Sequence, residues 1–335
     1  MAPHVLITGT AGFIGFHLAR RMLADGWRVT GVDAMTTYYD VALKARRHAI
    51  LSENNTFRAV QGRIETPGLI AGLMAADQPQ AVVHLAAQAG VRHSIDAPRE
   101  YVDANILGTW EILEAARAHP PAHLLLASTS SVYGANLEMP YAEHHRADHP
   151  MSFYAATKKA GEAMAHSYAH LYGVPTTLFR FFTVYGPWGR PDMAYYKFTR
   201  AILAGDPIDI YNHGQMRRDF TYVDDLVEGI VRLIRCVPSA AAPGASPVAP
   251  WRVVNIGNGT PVGLMEFVAA VEAATGREAI KRMLPIQAGD VPATWADTTL
   301  FEALAGKLPK TDLGVGVQRF VEWYREFHGS PFAER

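Results

Sequence analysis

Two hydrophobic periods alternate along the first 180 or so residues of this chain. Short continuous apolar runs, Val5-Leu-Ile7, Ala81-Val-Val-His-Leu-Ala-Ala87 and Leu124-Leu-Leu-Ala127, read as strands covered on both faces. Between them, apolar residues recur three and four apart. Ile14, Leu18 and Met22 repeat in this way until Gly26 stops the helix, and Val102, Ile106 and Leu113 face inward over 101–119. Further strands are predicted over 28–33, 57–62 and 176–180, with a basic helix through Lys44, Arg46 and Arg47 and helices over 66–76 and 151–172. Such alternation predicts a mostly parallel sheet with helices on both faces.

After Phe181 the pattern changes. Residues 182–193 are rich in proline, glycine and aromatics and predict an ordered loop, and 138–150 is a polar loop. A helix over 197–203 and a strand over 208–211 precede Arg217 and Arg218, which stand before another helix. Residues 237–250 hold many Ala, Pro and Ser residues and read as a flexible surface loop. Residues 252–256 return as a strand of the main sheet, and 263–276 and 317–327 are helical, with the polar stretch 289–297 between them. The expected division is 1–180, with 224–256 returning to it, against an interleaved lobe of 181–223 and 257–330.

Composition narrows the class. The 335 residues are 49% hydrophobic, enough for one large core or two smaller ones. Lys and Arg total 31 against 32 Asp and Glu, a net charge of -1, which argues against bulk capture of nucleic acid. The single Cys236 rules out an intramolecular disulfide, and no Cys/His cluster has metal-ligand spacing, so no metal is expected. The start leads directly into a strand without a charged leader, and no charge-free apolar segment approaches the roughly 18 residues of a membrane span. A soluble cytoplasmic protein is expected.

The first strand, Thr8-Gly9-Thr10-Ala11-Gly12-Phe13-Ile14-Gly15, a helix, and a second strand ending in Asp33 make up a dinucleotide-binding unit. Its glycines permit a tight turn and let backbone N–H groups approach a pyrophosphate, whose charge the helix N-terminus favours. Asp33 suits a ribose diol and would repel a 2′-phosphate, so NAD is favoured over NADP. A Rossmann-type, doubly wound α/β fold with a smaller C-terminal α/β lobe follows. Gly9, Gly12, Phe13, Ile14, Gly15, Asp33, Ile64, Leu85, Ala86 and Ala87 are assigned to the cofactor, since strand ends of this kind line its crevice. Lys44, Arg46 and Arg47 read as a solvated face, and His84 as a satisfied core histidine. Arg92 suits either a diphosphate or a surface salt bridge.

Candidate chemistry lies in Tyr154-Ala-Ala-Thr-Lys158. On a helix, Tyr154 and Lys158 share one face. A phenol is a poor base at its ordinary pKa of about 10, and a nearby ammonium favours the phenolate. Upstream, the hydroxyls of Ser128, Thr129, Ser130 and Ser131 sit where a buried strand ends, as donors to a substrate oxygen.

The three-and-three glycine spacing resembles the extended short-chain dehydrogenase/reductases, which also carry a Tyr-x-x-x-Lys pair. Five stretches resemble the UDP-glucuronate 4-epimerases within that family: Tyr38-Tyr-Asp-Val41, Ala86-Ala-Gln-Ala-Gly-Val-Arg92, Tyr154-Ala-Ala-Thr-Lys-Lys159, Met216-Arg-Arg-Asp-Phe-Thr-Tyr222 and, most specific, Arg180-Phe-Phe-Thr-Val-Tyr-Gly-Pro-Trp-Gly-Arg-Pro-Asp-Met193. The resemblance runs from Val5 to about Tyr324. It implies reversible interconversion of UDP-glucuronate and UDP-galacturonate through a 4-keto sugar on tightly held NAD.

In that scheme Tyr154 is the base, Thr129 bonds the 4-oxygen, and Lys158 also binds the nicotinamide ribose. Asn105 points to the crevice as a further cofactor residue, bracing Lys158 and the site backbone, while Arg218 meets the diphosphate and Asp290 the uridine ribose. A 4-keto uronate is a β-keto acid that loses CO2 when its carboxylate bond aligns with the carbonyl π system. Ser130, Ser131 and Thr183 are expected to hold that carboxylate out of alignment, with Arg190 supplying charge. Dehydratases of the family carry Asp-Glu where this chain has Ser130-Ser131, and decarboxylases carry Glu at Ser131; neither carboxylate is present. Family members usually place Asp where this chain has Arg63, to contact the adenine amino group. They commonly form homodimers through the 101–119 and 151–172 helices, and the same is expected here. The remaining alternatives are another nucleotide-sugar epimerase or a UDP-glucuronate decarboxylase and, from a different class, a non-catalytic NAD-binding regulatory protein.

Overall fold

A computed structural model describes residues 2–239, 241–287 and 290–329. Seven strands form the main sheet: β1 (His4–Thr8), β2 (Arg28–Asp33), β3 (Phe57–Gln61), β4 (Ala81–His84), β5 (His123–Thr129), β6 (Thr176–Phe181) and, after the lobe begins, β10 (Trp251–Ile256). Their order is β10-β6-β5-β4-β1-β2-β3, and every pairing is parallel. Strands buried on both sides need apolar residues at every position, which is why β1 and β4 read as unbroken runs. The order reverses between β1 and β4, and a doubly wound sheet opens its ligand crevice at that switch point.

Around the sheet lie α1 (Phe13–Ala24), α2 (Val41–Ser52), α3 (Leu69–Asp77), two single turns α4 (His93–Asp96) and α5 (Pro98–Tyr101), α6 (Gly108–Ala118) and α7 (Phe153–Tyr172). One buried cluster joins α1 to the sheet and to the later α9 (Val223–Ile234), and another joins α3, α6 and α7 to the opposite face. The remaining elements are β7 (Thr183–Tyr185), α8 (Ala194–Ala204), β8 (Ile208–Ile210), β9 (Arg217–Tyr222), β11 (Pro261–Gly263), α10 (Leu264–Thr275), β12 (Lys281–Met283), β13 (Ala293–Thr294), α11 (Thr299–Ala305) and α12 (Leu313–His328). β9 pairs with β7, β11 and β13, while β8 pairs with β12. An aromatic cluster around Tyr196, Phe267, Phe320 and Trp323 fills the space among α8, α10 and α12.

Several boundaries differ from expectation for local reasons. The third helix starts at Leu69, because Gly68 adopts a left-handed backbone at its N-cap. β4 ends at His84, and the Thr8 hydroxyl takes the N–H groups of Leu85 and Ala86 just beyond it. The helix expected over 101–119 is not continuous: Val102–Leu107 widens into a π-helical stretch. Residues 241–250, read as a flexible loop, are tied to α7 by His166 on Ser246 (2.9 Å) and His170 on the Val248 carbonyl (2.7 Å). Ala240 within that loop, Gly289 at the start of the 289–297 stretch and the end of the expected lobe at 330 lie outside the described residues. No helix among the described residues is long and apolar enough to cross a membrane.

Candidate active site

The glycine turn between β1 and α1 is shaped by contacts a side chain would break. Gly9 has φ +81°, and a Cβ there would stand 2.9 Å from the Ala86 nitrogen, while one on Gly15 would overlap the Gly9 carbonyl oxygen. Helix α1 begins at Phe13, and its N-cap Gly12 has no side chain to cap it, so the first N–H groups of the helix remain for an anion. Asp33 closes the turn: its carboxylate accepts from the N–H of Ala11 (2.9 Å) and of Met35 (2.8 Å). Bare backbone, an uncapped helix start and an acid at the neighbouring strand end fit a dinucleotide.

A cavity of about 810 Å³ opens over this turn. Every residue assigned to the cofactor except Asn105 lines it, together with Thr129, Tyr154, Lys158 and Arg190. Asn105 is buried in the π-helical stretch instead. Its amide donates to the Gln88 carbonyl and to the Thr157 hydroxyl (both 3.0 Å) and accepts from the Gln88 N–H (2.9 Å). It braces the backbone after β4 and the helix that carries Lys158, and does not reach the cavity wall. Ser130, Ser131, Thr183, Arg92, Arg218 and Asp290 are also outside this wall.

Tyr154 and Lys158 both project from α7 into the cavity, but their electrostatics differ from the expected pairing. The Lys158 Nζ donates to the Ala127 carbonyl (2.9 Å), and burial pushes the amine down to about 8. Burial raises the Tyr154 phenol, opposed by the Arg190 charge and by a hydrogen bond with Thr129. The charge that opposes this rise is that of Arg190, while the lysine ammonium donates to a strand carbonyl.

Arg190 itself is clasped by Asp192, with contacts of 3.0 and 2.5 Å, and Asp192 also accepts from the Tyr38 hydroxyl (3.3 Å). The Thr129 hydroxyl donates to Ser131 Oγ and accepts from the Ser131 N–H, both at 3.2 Å. Ser128 is engaged elsewhere. Its hydroxyl donates to Glu162 (2.7 Å), one turn beyond Lys158 on α7, and Glu162 takes a bidentate contact from buried Arg180 (2.7 and 2.8 Å). The Arg180 guanidinium holds the Glu162 carboxyl below its usual range, although burial alone would raise it. His84 is the satisfied core histidine expected: it bonds Thr8 (2.8 Å), and burial takes it down to about 3.

The residues predicted for the nucleotide come together apart from the main cavity. Arg92 pairs with Asp290 (3.6 Å) and lies over the Tyr211 ring. Arg218 donates to the carbonyls of Arg217 and Pro292, and burial lowers its pKa against the attraction of Asp290. Arg63, at the adenine position of the resemblance, lines the cavity and pairs with Glu65 (2.8 Å).

The expectation of a solvated basic face on α2 is overturned for two of its three residues. Arg46 is exposed, but Lys44 and Arg47 are buried. Lys44 donates to the Thr36 carbonyl (2.6 Å) and hydroxyl (2.9 Å) beside the cavity. The signal was present in the spacing: Leu43, Arg47 and Leu51 fall four apart, so Arg47 occupies the middle of the buried stripe.

Comparison with known proteins agrees with this geometry. Residues 5–257 match the profile of the NAD dependent epimerase/dehydratase family. A probable UDP-glucuronate 4-epimerase of Rhizobium meliloti (strain 1021) is 59% identical over 327 residues, covering 95% of this chain and 96% of the relative. The crystal structure of UDP-glucuronic acid 4-epimerase from Bacillus cereus, in complex with UDP-glucuronic acid and NAD, superposes with a TM-score of 0.88 at 30% identity, over 97% of this chain and 99% of that one. UDP-glucose 4-epimerase of Thermotoga maritima with UDP-glucose gives 0.83 at 28% identity, over 97% and 99%. The chain belongs to the NAD dependent epimerase/dehydratase family.

Proposed function

We propose that this chain interconverts UDP-glucuronate and UDP-galacturonate by NAD-dependent epimerisation at C4. The observation that carries the reading is a single cavity in which the glycine turn and Asp33 face Tyr154, Lys158, Thr129 and Arg190. The relative in Rhizobium meliloti and the structure from Bacillus cereus support the same substrate. The glycine turn, the α1 N-terminus, Asp33, Ile64 and Leu85 to Ala87 would hold NAD, which would supply reversible hydride exchange at C4. Tyr154 removes the proton of the 4-hydroxyl and later gives it back, and Thr129 bonds the same oxygen. Lys158 binds the nicotinamide ribose.

Thr183, Ser130, Ser131 and Arg190 turn the sugar carboxylate away from the alignment that would release CO2, while Arg92, Arg218 and Asp290 receive the nucleotide. Residues 1–180 with 224–256 form the cofactor unit, and 181–223 with 257–330 the sugar lobe. The protein works in the cytoplasm as a homodimer. Trp110 on α6 and Leu171 and Tyr172 on α7, all exposed, support pairing through those helices. Light scattering at micromolar concentration tests the pairing, and a monomer would reject it.

The activity is tested by incubating purified protein with UDP-glucuronate and no added NAD, followed by NMR of the sugar. UDP-galacturonate is the expected product. A UDP-pentose with CO2 would reassign the protein as a decarboxylase, and no conversion even with NAD supplied would leave a binding protein.

A further inference from the structure

Arg47 has no part in the reading above. It is completely buried on α2, and its guanidinium reaches two separate stretches of backbone. One Nη donates to the Ala11 carbonyl (2.7 Å) in the glycine turn and to the Tyr39 hydroxyl (2.8 Å). The other donates to the carbonyls of Trp188 (2.5 Å) and Gly189 (3.2 Å). No carboxylate is among these acceptors, and Nε has no partner among the described residues. A guanidinium buried against uncharged oxygens, three carbonyls and one hydroxyl, is an expensive arrangement, and a packed apolar side chain would serve the core better. What an apolar residue would not do is join these two stretches.

Both stretches matter to the cavity. The N–H of Ala11 is held by Asp33, so Ala11 belongs to the dinucleotide turn. Trp188 and Gly189 immediately precede Arg190, which stands in the cavity wall. Trp188 takes a left-handed backbone, φ +59°, unusual for a bulky residue. Its ring is wedged between Phe16 of α1 and Trp323 and Phe327 of α12. Gly189 lies so close under the Tyr195 ring that a Cβ would not fit. The loop is held backbone-first, and Arg47 ties that backbone to the glycine turn.

We infer that Arg47 is a positioning residue that anchors the Trp188-Gly189 backbone to the dinucleotide turn and thereby sets where Arg190 stands, so that uronate recognition depends on α2. The inference rests on the proposed role of Arg190 toward the sugar carboxylate. The test compares UDP-glucuronate with UDP-glucose, which lacks that carboxylate, on purified holoprotein. Arg47→Lys keeps the charge and loses the fork. The KM for UDP-glucuronate should rise about tenfold, the loss of one charge-assisted contact, while the inhibition constant of UDP-glucose stays within about twofold. In an Arg190→Ala background the same change should add almost nothing, because the two residues act in series.

Equal weakening of both sugars, or a full Arg47→Lys effect without Arg190, overturns the inference. Arg190→Ala alone weakening both sugars equally would instead remove the reading of Arg190 on which it rests. Should Arg47→Lys not fold, Tyr39→Phe removes one of its acceptors. A rise of about threefold in the same ratio is then expected, and an unchanged ratio overturns the inference.

Discussion

The two walls of the cavity are built by different means. On the dinucleotide side the surface is backbone: Gly9 and Gly15 leave room for the chain to pass close to itself, and Asp33 binds two N–H groups across the turn. On the opposite side the surface is side chains that hold one another, with Arg190 on Asp192, Asp192 on Tyr38, and Thr129 on Ser131. The first wall is specified by backbone conformation and by how closely one stretch of main chain can pass another. The second is specified by which side chain takes which partner, two of them only two positions away and Tyr38 brought from a distant part of the chain, and there a change of partner changes the electrostatics of Tyr154.

The largest effect should come where the walls meet. Replacing Tyr154 by Phe is expected to lower kcat by about a thousandfold, within the range for loss of an acid–base group, with NAD content and unfolding midpoint unchanged. Because burial raises this phenol, the phenolate forms only on the alkaline side, so kcat of the native protein should still be climbing with pH above neutrality, and that limb should vanish in the variant. A rate within tenfold of native would mean that the side-chain wall supplies no base.

Beneath both walls lies the ion pair of Glu162 and Arg180, each almost wholly buried, with Ser128 on the same carboxylate. Glu162→Ala strands a guanidinium in the core and should cost about 3–4 kcal/mol in urea unfolding. Exchanging both partners for apolar residues of similar volume should cost far less. If the single and the double change cost the same, the pair contributes packing and not charge.

Legibility in the sequence followed the same division. The strands and helices around the glycine turn were readable because burial on both faces demands unbroken apolar runs, and because only glycine tolerates the Gly9 backbone. All the cofactor positions except Asn105 meet in one cavity. The failures are of another kind. The family resemblance points Asn105 into the crevice, whereas from the π-helical stretch its amide engages Gln88 and Thr157. Helical spacing sets Lys158 on the same face as the phenol, whereas its ammonium is taken by the Ala127 carbonyl of β5. Arg47 was assigned to solvent by its charge despite its place on the apolar stripe. In each case the deciding partner lies beyond the reach of a local pattern.

Lys158 gives a test of the buried wall that needs no substrate. Its amine falls from an ordinary 10.5 to about 8 in the folded protein, through burial. Below pH 8 the folded chain carries a buried ammonium, at a cost of roughly 3 kcal/mol. Between pH 8 and 10.5 the folded state has shed this proton while the unfolded state keeps it, so stability should rise with pH across that window. Lys158→Met should be more stable than the native chain by about 2 kcal/mol at pH 7, allowing for the lost bond to Ala127, and the gap should close by pH 10.5. Thermal unfolding of cofactor-free protein measures this without the contribution of bound dinucleotide. A gap that does not depend on pH would place the ammonium in contact with water.

The smallest effect sharpens the backbone wall at its one departure from the family pattern. Arg63 stands in the cavity where relatives are expected to offer Asp to the adenine amino group, and its guanidinium is turned to Glu65. A surface pair of this kind contributes less than about 1 kcal/mol, so Arg63→Asp should leave the unfolding midpoint nearly unchanged. The new carboxylate adds one acceptor for the adenine edge, and NAD should bind about threefold to fivefold tighter in a titration of cofactor-free protein. Part of the gain is lost to repulsion from Glu65, so adding Glu65→Gln should increase it further. If Arg63→Asp instead weakens NAD, the arginine itself meets the cofactor, and this part of the dinucleotide wall depends on a side chain as the sugar wall does.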